Sequence, residues 1–177
     1  MDFDREKFKA LVHYVCWSCK DDTSKLGGTK LNKILWLADF VRYYRTGDPL
    51  TGARYVKRQF GPVPRAINPV LAELERDGAV FARQVMFHGK PKTDFIVVTE
   101  PDINLTEDER TLVDRTIKYV CDEHTAKSIS DLSHDAVWHA AEDGEDIPYF
   151  TIFATKGEID DDDREWARQE IEDMEVS

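Results

Sequence analysis

Residues 29–46 constrain this chain more than any others. Leu31, Ile34, Leu35, Ala38, Val41 and Tyr44 recur at helical spacing, and Trp36, Leu37 and Phe40 widen the apolar stripe beyond what a surface helix carries. Such a segment must be enclosed on most sides, so it predicts a central helix with the remaining elements packed around it. Gly47, free to turn left-handed, and Asp48-Pro49 behind it predict where the helix stops.

The flanking segments supply what encloses it. Residues 4–20 place Phe8, Leu11, Val12, Val15 and Cys19 three and four apart and predict an amphipathic helix. Residues 54–60 alternate as an extended run, and Gly61-Pro62-Val63-Pro64 predicts a rigid loop that breaks it. Asn68-Pro69 predicts the cap and first turn of a short helix through Val70, Leu71 and Leu74, closed by Gly78. Residues 79–87 and 93–99 then predict two strands joined by a five-residue connection. Helix followed by hairpin is the order of a winged-helix unit.

Thr106 with Glu109 forms a capping box ahead of Leu112, Val113, Ile117, Val120, Cys121 and His124, predicting a long helix there. Ser128 with Asp131 has the same form and predicts a shorter helix, continuing through residues 134–141 toward Gly144. The run of acids at 160–163 predicts the first turn of a last, acidic helix over about residues 158–175. The expected fold is mainly α with a small β-sheet or hairpin (α+β), including a winged-helix-like helix-plus-hairpin unit, in a single domain over residues 1–177.

A chain of 177 residues is enough for one proper core. No stretch approaches the ~18 apolar residues that span a bilayer. The first residues, Met1-Asp2-Phe3-Asp4, lack the basic and apolar regions of a secretion signal. Three cysteines, an odd number, fit a reducing compartment better than a disulfide framework, so the cytoplasm is expected and a membrane is not. The formal charge of −11 is unevenly spread. Arg54, Lys57, Arg58 and Arg65 fall in a stretch without an acid, which predicts a local basic site on an acidic body.

Candidate chemistry is sparse. Cys16-Trp17-Ser18-Cys19 lies inside a predicted helix with no strand before it, the wrong setting for a redox motif. His13, Cys16 and Cys19 share a helical face, and Cys121 with His124 repeats the spacing. The five supply a zinc site only if their helices pack in register, and because free Cys is among the most buried residue types they read first as small buried residues on apolar faces. Ser133, His134 and Asp135 are the residue types of a hydrolase triad, but neighbours on a helix point about 100 degrees apart and form no relay. Gly27-Gly28-Thr29-Lys30 has a phosphate-nest look that a simple loop and helix start also explains. No catalytic residue, metal or cofactor is assigned, and the chain is read as a binding protein and not an enzyme.

Residues 29–40, the turn between Gly47 and Gly52, Tyr55 and above all Phe60-Gly61-Pro62-Val63-Pro64 together resemble the Panacea antitoxin domain, also called the SocA-like domain. The family's run of a K-L-x-K-L-L-Y-x-A-D helix, a T-G-x-x-Y turn and a G-P-V-P loop is followed here with Trp36 at the usual aromatic position. Leu132-Ser133-His134, Trp138 and Ile147-Pro148-Tyr149 resemble its closing part, so the likeness spans about residues 5–150.

The resemblance implies a bacterial, phage or prophage protein of a toxin–antitoxin system that neutralises a cognate toxin by binding it. One branch of the family delivers its toxin to a Clp-type protease, a second implied partner. The expected docking surface is the edge and loop of Tyr55, Lys57, Arg58, Phe60, Gly61, Pro62, Val63, Pro64 and Arg65 with His134 and Trp138, because rigid loops and aromatic or arginine anchors dominate interfaces. Two rivals stand beside it: a winged-helix-like DNA-binding regulator using Arg83, Lys90 and Lys92, and a metal-binding enzyme or sensor using the Cys and His set.

Overall fold

A computed structural model describes residues 2–154, and the acidic helix expected at about 158–175 lies outside them. The most apolar segment forms α2 (Gly28–Thr46), which contacts elements on all sides. Leu31, Ile34, Leu35, Ala38 and Phe40 are buried along it. Gly47 ends it at φ 79°, its N–H donating to Tyr43 O at 2.8 Å. α1 (Arg5–Ser18) is capped by the Asp4 side chain and lays Phe8, Leu11, Val12 and Val15 against the core.

One buried acid on α2 positions the turn and the strand that come after the helix. Asp39 is fully buried and accepts from Thr51 N at 2.6 Å, Thr51 Oγ1 at 2.7 Å and the Tyr55 hydroxyl at 2.7 Å. The turn after α2 is thereby fixed to the helix, and Tyr55 enters the core with its ring 5.6 Å from Phe40. Burial raises the Asp39 pKa, and the three hydrogen bonds oppose that rise.

β1 (Tyr55–Arg58) pairs antiparallel with β2 (Gly61–Pro64), and Arg58 stands opposite Gly61. Residues 61–64 are therefore an edge strand joined by a two-residue turn at Gln59-Phe60, not the breaking loop that their prolines predict. Two prolines are tolerated there because among the described residues β2 has no neighbour on its other side to receive their missing N–H groups. β5 (Asp146–Ile147) covers the second edge of β1, with Tyr55 opposite Ile147.

α3 (Ile67–Arg76) starts before the expected cap: Asn68-Pro69 falls in its first turn, where proline's missing N–H has no helical partner to lose. β3 (Val80–Phe87) and β4 (Lys90–Val97) form the predicted hairpin with a shorter connection. His88 and Gly89 both adopt positive φ, 48° and 75°, and this tight turn draws Lys90, Pro91 and Lys92 into the ladder. The helix-then-hairpin order is present.

α4 (Glu107–Lys118) opens on the Thr106–Glu109 capping box but widens into a π-turn at Tyr119–Glu123, so Cys121 and His124 leave the α-helical register. α5 (Ala126–Leu132) is capped by Thr125 with Ser128, not by Ser128 with Asp131. Ser128 is the third helical residue, and Asp131 pairs with Lys127 at 3.0 Å. The helix expected to continue is broken at Ser133, and α6 (Ala136–Ala140) starts anew on an Asp135 cap. The described chain ends in a 3-10 turn, Tyr149–Phe153, whose Tyr149 hydroxyl donates to Ala53 O at 2.5 Å.

Asp39→Ala leaves the Thr51 N–H and hydroxyl without their acceptor in a dry site and Tyr55 with Leu35 O alone, and we expect a loss of about 3 kcal/mol. Asp39→Asn, which keeps one acceptor oxygen, should lose clearly less. Urea unfolding of both variants checks the order; equal stability of Asp39→Ala and the native chain would remove Asp39 from this role.

Candidate functional site

The basic segment sits on β1 and its flanks, and the chain after α6 returns along it. Arg65 Nε lies 2.9 Å from Asp146, Arg54 pairs with the same carboxylate, and Arg58 Nη1 is 2.9 Å from Asp143. Asp146 is held below the usual carboxylate range, first by the hydrogen bond from Arg54. Lys57 Nζ donates to Ala141 O at 2.8 Å and lies 4.2 Å from the centre of the Trp138 ring. The predicted open cationic edge is thus already occupied by residues 141–147 of the same chain. Nothing in the spacing of Asp143 and Asp146 announces that return.

Burial divides the remaining site residues. Tyr55 is 1% exposed, and Gly61, Pro62 and Pro64 are buried, so these four shape the surface from beneath and do not present side chains on it. Consecutive residues are buried in both strands, which are packed on α2. Phe60, at the tip of the turn, is 57% exposed, while Val63, His134 and Trp138 are half-buried beside it. Trp138 Nε1 donates to Arg58 O at 3.1 Å, and the His134 ring stacks on Trp138 at 3.7 Å with 17° between planes. Burial first, then the nearby Lys33, lowers the His134 pKa below the ordinary imidazole value.

Two hollows of about 320 Å³ flank Pro62. One, beneath Phe60, is lined by Thr29, Asn32, Lys33, Arg58 and Val63. The other is apolar, between Trp36, Phe40, Leu132, Trp138 and Ile152, with Leu132 exposed on its rim. Trp36 Nε1 and Asn32 Oδ1 are buried without a hydrogen-bond partner among the described residues, one in each wall.

Lys33 is the residue sequence reasoning missed. It is 1% exposed, and its Nζ makes a long contact, 3.4 Å, to Pro62 O and lies 5.9 Å from the centre of the Trp36 ring. Burial without a carboxylate lowers its pKa from 10.5 to about 7. Gly61 makes room for it: at φ 98°, an added Cβ would stand 2.1 Å from Lys33 Nζ and 2.3 Å from Ser133 Oγ. A lysine at an otherwise apolar position of a core helix was the available signal.

The other candidate sets come apart. Ser133 Oγ donates to Ser130 O at 2.7 Å and Asp135 caps α6 through Trp138 N, so the three adjacent residues form no relay. Cys19 and Cys121 meet at 3.8 Å between sulfurs, but His13 Nε2 is bonded to Thr99 O and His124 to Ser128. Among the described residues no group of three or more His, Cys, Asp or Glu is placed to hold a metal. On the hairpin, Arg83 is paired with Glu75, and Lys92 turns inward to Asp94 and Thr23 O. No helix among these residues is long and apolar enough to cross a membrane.

A family model described as antitoxin SocA-like, Panacea domain, matches residues 31–139, from α2 through α6. No curated protein and no solved structure matches the chain.

Lys33 yields a signed pH dependence. The unfolded chain holds this proton up to about 10.5, whereas the folded chain sheds it near 7. In that window the unfolded state binds more protons, so stability rises with pH. Relative to Lys33→Met, the native chain should gain up to about 1.4 kcal/mol per pH unit between 7 and 10. Parallel urea curves for both proteins across that range test it, and a constant difference contradicts the burial of an unpaired amine.

Proposed function

Because the chain belongs to the antitoxin SocA-like, Panacea domain family, we propose that it is an antitoxin that neutralises a toxin encoded beside it. It does so by direct binding, in the cytoplasm of a bacterium or of one carrying a prophage. The chemistry is recognition, and no bond is made or broken. Delivery of the captured toxin to a Clp-type protease is a further step of the same reading.

The observation that carries the choice of surface is Phe60. A large apolar side chain is held 57% exposed at the tip of a two-residue turn whose base is rigid. Two prolines fix β2, Ser130 Oγ donates to Phe60 O at 3.1 Å, and Trp138 bonds to Arg58 O. A ring presented this way loses little freedom on association, which is what an interface anchor requires. The apolar hollow beside Trp138, with Leu132 and Pro62 in its lining, receives a side chain of the toxin. Arg58 and Arg65, each tied to an acid, contribute to the rim and little to affinity.

Expression of the neighbouring reading frame alone should be lethal and should be harmless with this chain; an innocuous neighbour ends the antitoxin reading. Phe60→Ala should weaken binding to that toxin at least about tenfold, in line with a buried aromatic anchor, with the urea midpoint unchanged. Calorimetry on purified proteins measures it. Unchanged affinity moves the contact away from the turn while leaving the antitoxin reading in place.

A further inference from the structure

A cavity of about 840 Å³ opens between the loop before α2, the tip of the β3–β4 hairpin and the π-turn at the end of α4. It shares only Thr29 with the hollow beneath Phe60, so it is a separate feature of the surface.

Its wall carries one sign of charge. Lys25, Lys30, Lys90, Lys92, His88 and His124 line it, and among the described residues no carboxylate does. This occurs in a chain where Asp and Glu outnumber Lys and Arg by 35 to 24. Lys25 pairs with Asp122 at 2.8 Å and Lys92 with Asp94, two acids that stand outside the lining. Among the described residues the other two lysines form no ion pair, although Asp122 lies close enough to Lys30 to feel its charge. Lys30 is only 9% exposed, its Nζ donating to the neutral Cys121 O at 3.1 Å. Lys90 is exposed, and its side chain makes no hydrogen bond or ion pair among the described residues. A recess with low-dielectric walls and one sign of charge concentrates field lines and gathers anions.

The same wall adds backbone donors. Gly27 precedes α2 and no side chain caps it, so the first-turn N–H groups beside the cavity keep their hydrogen-bonding capacity. On the hairpin side Phe87 is 42% exposed and lines the cavity with Gln84. The volume falls in the range of roughly 300–1,000 Å³ typical of small-molecule sites, and an isolated phosphate would leave most of it empty.

We infer that this cavity binds a mononucleotide, with its phosphate between Lys30, Lys90 and the first turn of α2 and its base against Phe87. Lys30 and Lys90 supply charge that pairs with no carboxylate among the described residues, the uncapped first turn of α2 supplies N–H donors, and Phe87, 42% exposed, supplies a ring beside Lys92 and His88.

The test is a titration of the ¹⁵N-labelled full chain followed by amide NMR, with AMP, inorganic phosphate and adenosine as probes. AMP should shift the amides of Gly28, Thr29 and Lys30 and of Phe87. Phosphate should shift the first three more weakly, and adenosine should leave them in place. Lys90→Glu, at an exposed residue without a structural contact, should weaken AMP at least tenfold with the remaining spectrum unchanged; Lys30→Met should do the same if its spectrum is otherwise native. Amides at 28–30 unmoved by millimolar AMP, or Lys90→Glu binding AMP as tightly as the native chain, overturn the proposal. So does a short single-stranded oligonucleotide that binds a hundredfold tighter than AMP, which would make the cavity part of a nucleic-acid groove.

Discussion

Asp39 is a carboxylate with no exposure to water, and the rest of the structure is arranged by how its oxygens are satisfied. Thr51 and Tyr55 meet them, and this one cluster decides where the chain goes after its central helix. Without it the turn keeps only Asp4 N to Thr51 O and Tyr149 to Ala53 O, and Tyr55 keeps Leu35 O and the Phe40 ring, so the tie from the central helix to the start of β1 is weakened. Tyr149 reinforces the cluster from the far end of the described chain, packing 4.8 Å from Phe40. A buried acid held by three donors fixes geometry more than it adds stability, because its removal from water opposes what its hydrogen bonds contribute.

Much of the fold was legible because it depends on periodicity and on local chemistry. The stripe along α2, the α1 face and the Thr106–Glu109 box were readable from a few residues each, and each is present. The errors cluster where a short-range pattern had two meanings. Ser128 with Asp131 has the same form as the true cap, Thr125 with Ser128, three residues nearer the N-terminus. Two prolines in 61–64 look like a broken loop, and only the absence of an outer neighbour among the described residues makes them compatible with a strand. His88 at positive φ is an uncommon conformation for a non-glycine residue, so the tight hairpin had no strong signal.

The candidate surface was less legible than the fold. Phe60, His134 and Trp138, named together from sequence, do come together around the β1–β2 hairpin. It misjudged the charge, because Asp143 and Asp146 lie some 80 to 90 residues from the arginines they neutralise and no local rule links them. Lys33 was overlooked for the opposite reason: a lysine on a helix is ordinarily solvated, and its enclosure results from Gly61 and Ser133 closing over it. Charge runs in a sequence thus identify where cations are, while tertiary contacts decide whether a partner can feel them.

The pairing of β1 on both sides carries a kinetic consequence. β2 comes directly after it, but β5 arrives only with Asp146 and Ile147, 92 residues separating Arg54 from Asp146. During synthesis β1 itself has one bare margin, with main-chain donors and acceptors unmet, for as long as the ribosome takes to add the intervening polypeptide. Closing so long a loop is entropically slow, and an unprotected strand is an invitation to off-pathway association.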